Sequence, residues 1–188
     1  MKVTAITLRP GNVIEYNGKL CVVVKNEIIQ PGKGASVAQV ELRDIRTGSK
    51  DNARFRTQET VERVRLEQDE YQFLYMDGDD VVLMHQTNFE QIQINKDVIG
   101  ERAAYLQEGM IIEVETFEGE PLGFSFPDTV VLEIVEAEPV VKGQTATTSY
   151  KPAILENGVR VMVPPHIESG IKIVVRIEDG SYVERFKG

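Results

Sequence analysis

A single lysine between two glycines is the feature of this sequence that most clearly points to chemistry. Lys33 follows Pro31 and Gly32 and precedes Gly34, and strand-forming runs flank this segment on both sides. The pattern predicts a β-hairpin tip, because proline presets φ near the turn value and glycine accepts positive φ. Such a tip would present the Lys33 amine outward, where it could reach into a crevice on a partner. Taken alone, a lysine in this setting is more often an ordinary turn residue that keeps the surface soluble.

The charge of the chain is distributed unevenly along its length, although the net charge is −9. Residues 1–63 carry eleven Lys and Arg against seven Asp and Glu. Residues 64–126 carry three against fourteen, and residues 127–188 carry seven against nine. A basic first third beside an acidic middle third predicts that the N-terminal end faces phosphate. The alternative is an acidic face that only aids solubility.

Residues that could support catalysis or bind a metal do not group in the sequence. His85 and His166 lie far apart and belong to no zinc-ligand spacing. Asp77, Asp79 and Asp80 crowd one turn without the spacing of a calcium loop, which favours a solvated loop. The chain contains no Walker loop, GxGxxG or GxSxG motif. The sequence therefore predicts a binding or positioning protein with no catalytic residues, no metal and no cofactor.

The elements that would position Lys33 are short β-strands. Val, Ile, Thr, Tyr and Phe recur in runs of four to eight residues, which is typical of strands. The turn signals that separate these runs are Asn17-Gly18, Thr47-Gly48, Asp77-Gly78, Glu118-Gly119, Asn157-Gly158 and Asp179-Gly180. One short helix is predicted, around Lys96 to Leu106. The pattern as a whole predicts an all-β protein.

Two changes of composition divide the chain into three pieces. Basic residues give way to Asp and Glu near residues 63–65, and a proline precedes a new apolar run near residues 126–128. We therefore predict domains at residues 1–63, 64–126 and 127–188. Pieces of about 60 residues bury only about 60% of their unfolded surface, so they should rely on fixed interfaces with each other. Small closed β-barrels suit their short strands and tight turns.

The single cysteine and the absence of long apolar runs indicate the compartment. Cys21 excludes an internal disulfide framework and fits a buried, inert thiol within a strand. No apolar run approaches the ~20 residues that a membrane helix needs. The first residues lack the apolar core of a signal peptide. We expect a cytoplasmic protein that does not associate with membranes.

A long pattern in the last third is specific enough to suggest a family. Lys-x-Ala begins at Lys151, and four residues separate Ala153 from Gly158. Val-x-Val-Pro then runs from Val161 to Pro164, and Ile-x-x-Gly begins at Ile167. A strand, an Asn-Gly turn and a second strand would give an ordinary barrel hairpin. The complete pattern, however, resembles the C-terminal signature of the bacterial translation elongation factor P family.

The resemblance extends over essentially the whole chain, in order and without large gaps. The segment from Pro31 to Gly34 is similar to the modified loop of that family. Other similar segments are Phe55-Arg56, Val61-Glu62, Leu74–Gly78, Glu138–Gly143, Thr145–Thr147, and Tyr182 and Arg185 in the closing strand. The resemblance depends on two independent motifs, the Pro31–Gly34 loop and the pattern from Lys151 to Gly170, which are separated along the chain as they are in the family.

The resemblance implies a fold and a function. The first piece would be a KOW/SH3-like barrel and the next two OB-folds, in an elongated L-shaped arrangement that mimics tRNA. The protein would be a translation factor and not an enzyme. It would bind the ribosome between the peptidyl-tRNA and exit sites and promote peptide-bond formation at consecutive prolines. Its expected partners are ribosomal RNA, peptidyl-tRNA and exit-site messenger RNA, and it would be a monomer.

The resemblance also implies roles for particular residues. Lys33 aligns with the lysine that many members carry in β-lysylated form, added by a lysyl-tRNA-synthetase-like ligase. The extended side chain would approach the CCA end of peptidyl-tRNA. The candidate residues for contact with RNA or the ribosome are Arg54, Arg56, Gly143, Gln144, Tyr182 and Arg185.

The chain departs from the family pattern in three places. After Gly34 it reads Ala35-Ser36-Val37, where family members commonly have one residue and then Ala-Phe. Gln144 replaces a common Asp in the loop expected near messenger RNA, which removes a charge and leaves a group that donates and accepts hydrogen bonds. The segment 174–180 differs from the family's usual hairpin.

Two alternative functions remain compatible with the sequence. One is the elongation factor P-like paralogue, but the Lys-x-Ala…Val-Pro signature and Lys33 favour the standard factor, since the paralogue usually has arginine at the tip. A general single-stranded RNA-binding OB protein would need basic barrel faces with exposed aromatic rings. Residues 64–126 are acidic, and we expect Tyr71, Phe73 and Tyr75 to lie in the core.

Overall fold

The computed structural model describes residues 1–139 and 149–188, and it is built almost wholly of β-strands, as predicted. The strands of its first, antiparallel sheet are β1 (Lys2–Thr4), β2 (Val13–Tyr16), β3 (Lys19–Ile29), β4 (Val37–Asp44), β5 (Lys50–Arg56) and β6 (Thr60–Val64). They lie in the order β1-β6-β2-β3-β4-β5. A 3₁₀ turn, Ala5–Thr7, follows β1.

The long strands β3 and β4 form an arm that ends at the Lys33 loop. A bulge between Val23 and Lys25 shifts the register of this pair, and such a bulge bends the strand that carries it. Beyond the bulge the pairing continues to Ile29 opposite Val37, and β4 also pairs with β5 along its length. The arm is therefore a three-stranded ribbon up to the loop 30–36.

The inner face of this sheet forms an apolar core. Its largest fully buried side chains are Leu8, Ile14, Val23, Val40 and Leu42. Cys21 lies in the same core, as the sequence indicated. Burial raises the pKa of its thiol, which disfavours the reactive thiolate.

The second sheet contains five strands, which are β7 (Glu67–Asp77), β8 (Asp80–His85), β9 (Gln91–Asn95), β10 (Ile111–Phe117) and β11 (Glu120–Ser125). Strands β7, β8 and β9 are successive antiparallel neighbours. Tyr71 and Phe73 are buried, as expected, but the prediction that Tyr75 lies in the core was wrong, because its side chain is 52% exposed. The register of β7 shifts between Phe73 and Tyr75, and one extra residue turns the following side chains to the opposite face.

The single helix predicted around Lys96 to Leu106 is interrupted. The structure has a short helix α1 (Lys96–Ile99) and a separate 3₁₀ turn (Glu101–Tyr105). Gly100 between them has φ +91°, outside the helical region, which ends α1. Asn95 Oδ1 accepts a hydrogen bond from the Asp97 amide at 2.9 Å and caps the start of α1.

The third sheet is antiparallel and contains β12 (Thr129–Ala137), β13 (Lys151–Leu155), β14 (Arg160–Val163), β15 (Lys172–Arg176) and β16 (Tyr182–Arg185). The strand order is β14-β13-β12-β15-β16, and the edge strands β14 and β16 contact each other. The sheet therefore curls toward a closed barrel, which reduces its exposed edges.

The core of this barrel includes a side chain from the 3₁₀ turn before β10. Tyr105 is only 6% exposed and packs among the residues of the third sheet, and burial raises the pKa of its hydroxyl. Gln107 Nε2 donates to the Val131 carbonyl at 2.7 Å, and Asn157 Nδ2 donates to the Ala104 carbonyl at 2.9 Å. These bonds fix the 3₁₀ segment to the barrel.

The chain divides into two compact units. One comprises Met1–Gln68 with Val114–Gly123, and the other comprises Asp69–Glu113 with Phe124–Gly188. The sites described below each lie within one unit.

Candidate functional site

The loop 30–36 at the end of the β3–β4 arm presents Lys33 to solvent. Lys33 is exposed, and its ammonium group makes no hydrogen bond or ion pair with any residue in the ranges 1–139 and 149–188. Gly34 has φ +132°, whereas Gly32 does not have positive φ. Only Gly34 therefore uses the backbone freedom of glycine here. A Cβ at Gly32 would meet no atom within 4 Å, so the folded chain itself leaves room for a side chain at that position.

The base of the arm is held by a side chain that the sequence analysis did not single out. Asn26, on β3 just beyond the bulge, donates through Nδ2 to the carbonyls of Ala5 (3.0 Å) and Leu8 (3.1 Å). Both acceptors belong to the buried start of the chain, so the amide ties the arm to the core. Local sequence gives no signal for this role, because the two partners lie 21 and 18 residues away.

Two arginines lie on the outer face of the arm. Arg54 and Arg56 on β5 are exposed, whereas Ala53 and Phe55, which alternate with them, are buried. Arg54 pairs in register with Gln39, and Arg56 pairs with Val37 at the end of the Lys33 loop. The structure therefore brings Arg54 and Arg56 to the same hairpin as Lys33. Neither arginine forms a salt bridge with a residue that the structure describes.

The candidate residues of the last third are only partly accessible. Tyr182 is half-buried and makes an edge-to-face contact with Tyr150, with 6.3 Å between ring centres. Its ring packs against the core of the barrel, and burial raises the pKa of its hydroxyl. Arg185 on the same strand is exposed. Gly143 and Gln144 lie outside the described residues.

Lys151, the first residue of the C-terminal pattern, is buried. Its ammonium group donates to the Glu138 carbonyl, which joins the end of β12 to the start of β13. A buried lysine needs such a partner, because an unpaired buried cation is costly. Its role in the structure is to connect two strands.

Other kinds of site were sought in the same residues. Within 1–139 and 149–188, no three His, Cys, Asp or Glu side chains group closely enough to hold a metal ion. Over the same ranges, no helix has the length and apolar character that a membrane crossing requires.

Three family models match the chain and together cover most of it. "Elongation factor P (EF-P) KOW-like domain" matches residues 4–61, and "Elongation factor P (EF-P) OB domain" matches residues 66–124. "Elongation factor P, C-terminal" matches residues 130–185. The KOW-like and OB descriptions agree with the barrel classes that the resemblance implied.

Curated relatives align over the full length. "Elongation factor P" of Rhodospirillum centenum is 56% identical over 187 residues, with all of both chains covered. The protein of the same name from Gluconacetobacter diazotrophicus is 54% identical, also with full coverage. That of Parvibaculum lavamentivorans is 55% identical, over 98% of this chain and 99% of the relative.

A solved structure shares the fold. "Eukaryotic translation initiation factor 5A from Methanococcus jannaschii" superimposes with a TM-score of 0.55 at 24% identity, over 68% of this chain and 92% of that chain. At this identity the similarity concerns the fold alone.

Proposed function

The chain belongs to the elongation factor P family, a family of non-catalytic translation factors, and from that membership we propose that it binds the ribosome between the peptidyl-tRNA and exit sites. There it promotes peptide-bond formation at consecutive prolines. The observation that carries this proposal is the Lys33 amine, which lies exposed and unpaired among the described residues at the end of an anchored arm. The relatives compared above carry the name of the standard factor, which favours it over the paralogue.

Positioning is the mechanism that this arm can supply. Proline is a constrained nucleophile, and a chain of prolines disfavours the reactive geometry. A factor that holds the CCA end of peptidyl-tRNA removes misaligned states without supplying an acid or a base, and orientation can contribute several kcal/mol. The Asn26 amide, which ties the arm to the core, limits the freedom that the arm would lose on binding.

Two exposed arginines on the arm support contact with RNA. Arg54 and Arg56 project from the same face of β5, close to the Lys33 loop. Guanidinium groups bind phosphate through paired hydrogen bonds and fix the register of a protein on nucleic acid. We assign them to the backbone of ribosomal RNA or peptidyl-tRNA, with an affinity that falls as salt rises.

We also assign to this chain the modification that the family resemblance implies. The exposed Lys33 ammonium is accessible to a lysyl-tRNA-synthetase-like ligase, and a β-lysyl group would extend its reach. Intact-mass spectrometry of the protein from its native host tests this directly. We expect a shift of one lysyl unit on the peptide that contains Lys33, and an unshifted mass would contradict the assignment.

The remaining assignments are extensions of the same proposal. Gly143 and Gln144 would face messenger RNA in the exit site, and Arg185 with Tyr182 would contact RNA nearby. Of these, only Arg185 has an exposed side chain in the described residues. The protein would act in the cytoplasm as a monomer.

Competition on the ribosome tests the proposed function. Purified Lys33→Ala protein should bind ribosomes, because the arm and its arginines are unchanged, yet fail to stimulate synthesis of a Pro-Pro-Pro peptide. Added in excess, it should reduce the stimulation that the unsubstituted protein gives. Lys33→Arg is the matched control, because it keeps a positive charge at this position but lacks the primary amine. Stimulation by Lys33→Ala equal to that of the unsubstituted protein would refute the mechanism.

A further inference from the structure

A second hairpin tip, between β8 and β9, carries an exposed aromatic ring in an unfavourable backbone conformation. Phe89 is 65% exposed and has φ +63°. The other described non-glycine residues with positive φ are Asn17 and Glu118, each of which directly precedes a glycine in a tight turn. A bulky aromatic residue in the left-handed region costs stability, and its exposed ring returns none through burial. Such an outlier points to function.

The tip is fixed by hydrogen bonds to every backbone amide around Phe89. His85 Nδ1 accepts from the amides of Thr87 and Asn88, both at 3.1 Å. The Phe89 amide donates to the His85 carbonyl at 3.0 Å, and the Glu90 amide donates to Asn88 Oδ1 at 2.9 Å. A group on such a tip loses little freedom on binding, which favours affinity.

The His85 ring is itself held in place. Because Nδ1 accepts two hydrogen bonds, the ring proton lies on Nε2, which is 3.4 Å from an Asp69 carboxylate oxygen. The ring also packs edge-to-face against Tyr71, with 5.0 Å between centres. The conformation of the tip therefore depends on strand β7 as well as on the loop.

The strands that lead to this tip are acidic. Residues 66–95 contain seven Asp and Glu and no Lys or Arg. Asp69, Glu70 and Glu90 adjoin the tip, since the Gln86 amide donates to the Glu70 carbonyl, the His85 amide donates to the Glu90 carbonyl, and His85 Nε2 lies near Asp69. These carboxylates repel phosphate, and they complement a cationic surface.

We infer that the β8–β9 tip docks on a basic protein surface of the ribosome, with the Phe89 ring entering an apolar socket there. This inference rests on the proposed function only in taking the ribosome as the assembly. Aromatic rings on ordered tips are frequent anchors of protein interfaces. Base stacking on RNA would instead call for a basic groove around the ring, which the carboxylates preclude.

Photocrosslinking on the ribosome tests the class of partner. The full-length protein with p-benzoylphenylalanine in place of Phe89 is bound to intact bacterial ribosomes and irradiated. We expect an adduct with a ribosomal protein. An adduct with ribosomal RNA, or no adduct from a variant that still binds, would overturn the inference.

Affinity measurements separate an anchor from a purely structural residue. Phe89→Gly removes the ring and relieves the backbone, so it should melt at the same temperature or higher while binding ribosomes about tenfold more weakly. Asn17→Gly relieves a similar turn without removing a ring or a charge, and should leave the affinity unchanged. If Phe89→Gly binds ribosomes with the same affinity as the unsubstituted protein, Phe89 is not an anchor, but the proposed function is unaffected. Failure of the unsubstituted protein to bind ribosomes would overturn the proposed function as well.

Discussion

The two exposed hairpin tips of this protein differ in how they hold their functional residue. The Lys33 loop spans residues 30–36 and needs positive φ only at Gly34. The Phe89 tip spans residues 86–89, and each backbone amide from Thr87 to Glu90 is hydrogen-bonded. One tip extends a long cation that must adapt to its site, whereas the other holds a short ring in a fixed position.

The surroundings of the tips differ as much as their backbones. Arg54 and Arg56 flank the Lys33 loop, while the strands that carry Phe89 have no lysine or arginine. The comparison teaches that one chain can expose arginines and a lysine on one hairpin arm, which suits RNA, and carboxylates around another tip, which suits a basic protein surface.

The anchor of the arm should matter most for stability. Asn26→Asp replaces the donor to the Ala5 and Leu8 carbonyls by a carboxylate, so it should lower the free energy of unfolding by about 2–3 kcal/mol. Stimulation of Pro-Pro-Pro synthesis should also fall, although Lys33 is intact. Urea denaturation measures the first effect, and Asn52→Asp on exposed β5 is the matched control. Equal stability of the two variants would contradict the role of Asn26.

The two histidines allow a matched test of the acidic tip. His85→Ala removes the acceptor of two amide hydrogen bonds, and should cost about 1–2 kcal/mol and weaken ribosome binding. His166 is exposed, so His166→Ala should change neither quantity. If His85→Ala binds ribosomes as tightly as His166→Ala does, the ordered tip is not required for ribosome binding.

The glycines of the Lys33 loop should separate folding from function. Gly34→Ala should cost about 1 kcal/mol because of its positive φ. Gly32→Ala has open space and should leave thermal stability within about 0.5 kcal/mol. Loss of stimulation by a stable Gly32→Ala would show that the partner approaches the backbone there. A marked loss of stability in Gly32→Ala would contradict the open space that the structure shows around Gly32.

The carboxylates of the acidic middle third, residues 64–126, should discourage nonspecific RNA binding. Neutralising several of them should raise affinity for unrelated RNA a few-fold and steepen its salt dependence. The carboxylates to replace by amides are Asp77, Asp79, Asp80, Glu113, Glu115 and Glu118. If a filter-binding titration shows the same affinity for unrelated RNA after neutralisation, these carboxylates do not discourage RNA binding.

The sequence predicted the Lys33 tip but not the Phe89 tip, for a physical reason. Pro31 and the glycines mark a turn locally, because their backbone preferences are intrinsic. The Phe89 turn contains no glycine and is held by the His85 side chain, so its conformation depends on contacts that local preferences do not encode. The class of the fold could be predicted because strand patterns and turn signals recur along the whole chain.

Tertiary pairing explains the other differences between sequence and structure. The cluster of Tyr71, Phe73 and Tyr75 in the sequence predicts that all three are buried, but a register shift in β7 turns Tyr75 outward. The predicted helix around Lys96 to Leu106 is cut at Gly100, whose φ is positive. Asn26 gave no signal, because its partners are distant in the sequence. Roles that depend on register or long-range bonds require the folded chain.

The role of Lys33 is tested most directly by the single-turnover rate of Pro-Pro bond formation on ribosomes saturated with factor. We predict that Lys33→Ala at saturation leaves the rate at its value without factor, while the unsubstituted protein raises it. A template without consecutive prolines should react at the same rate with either protein. If saturating Lys33→Ala raises the proline rate as much as the unsubstituted protein does, the amine at the end of the arm is not the active group.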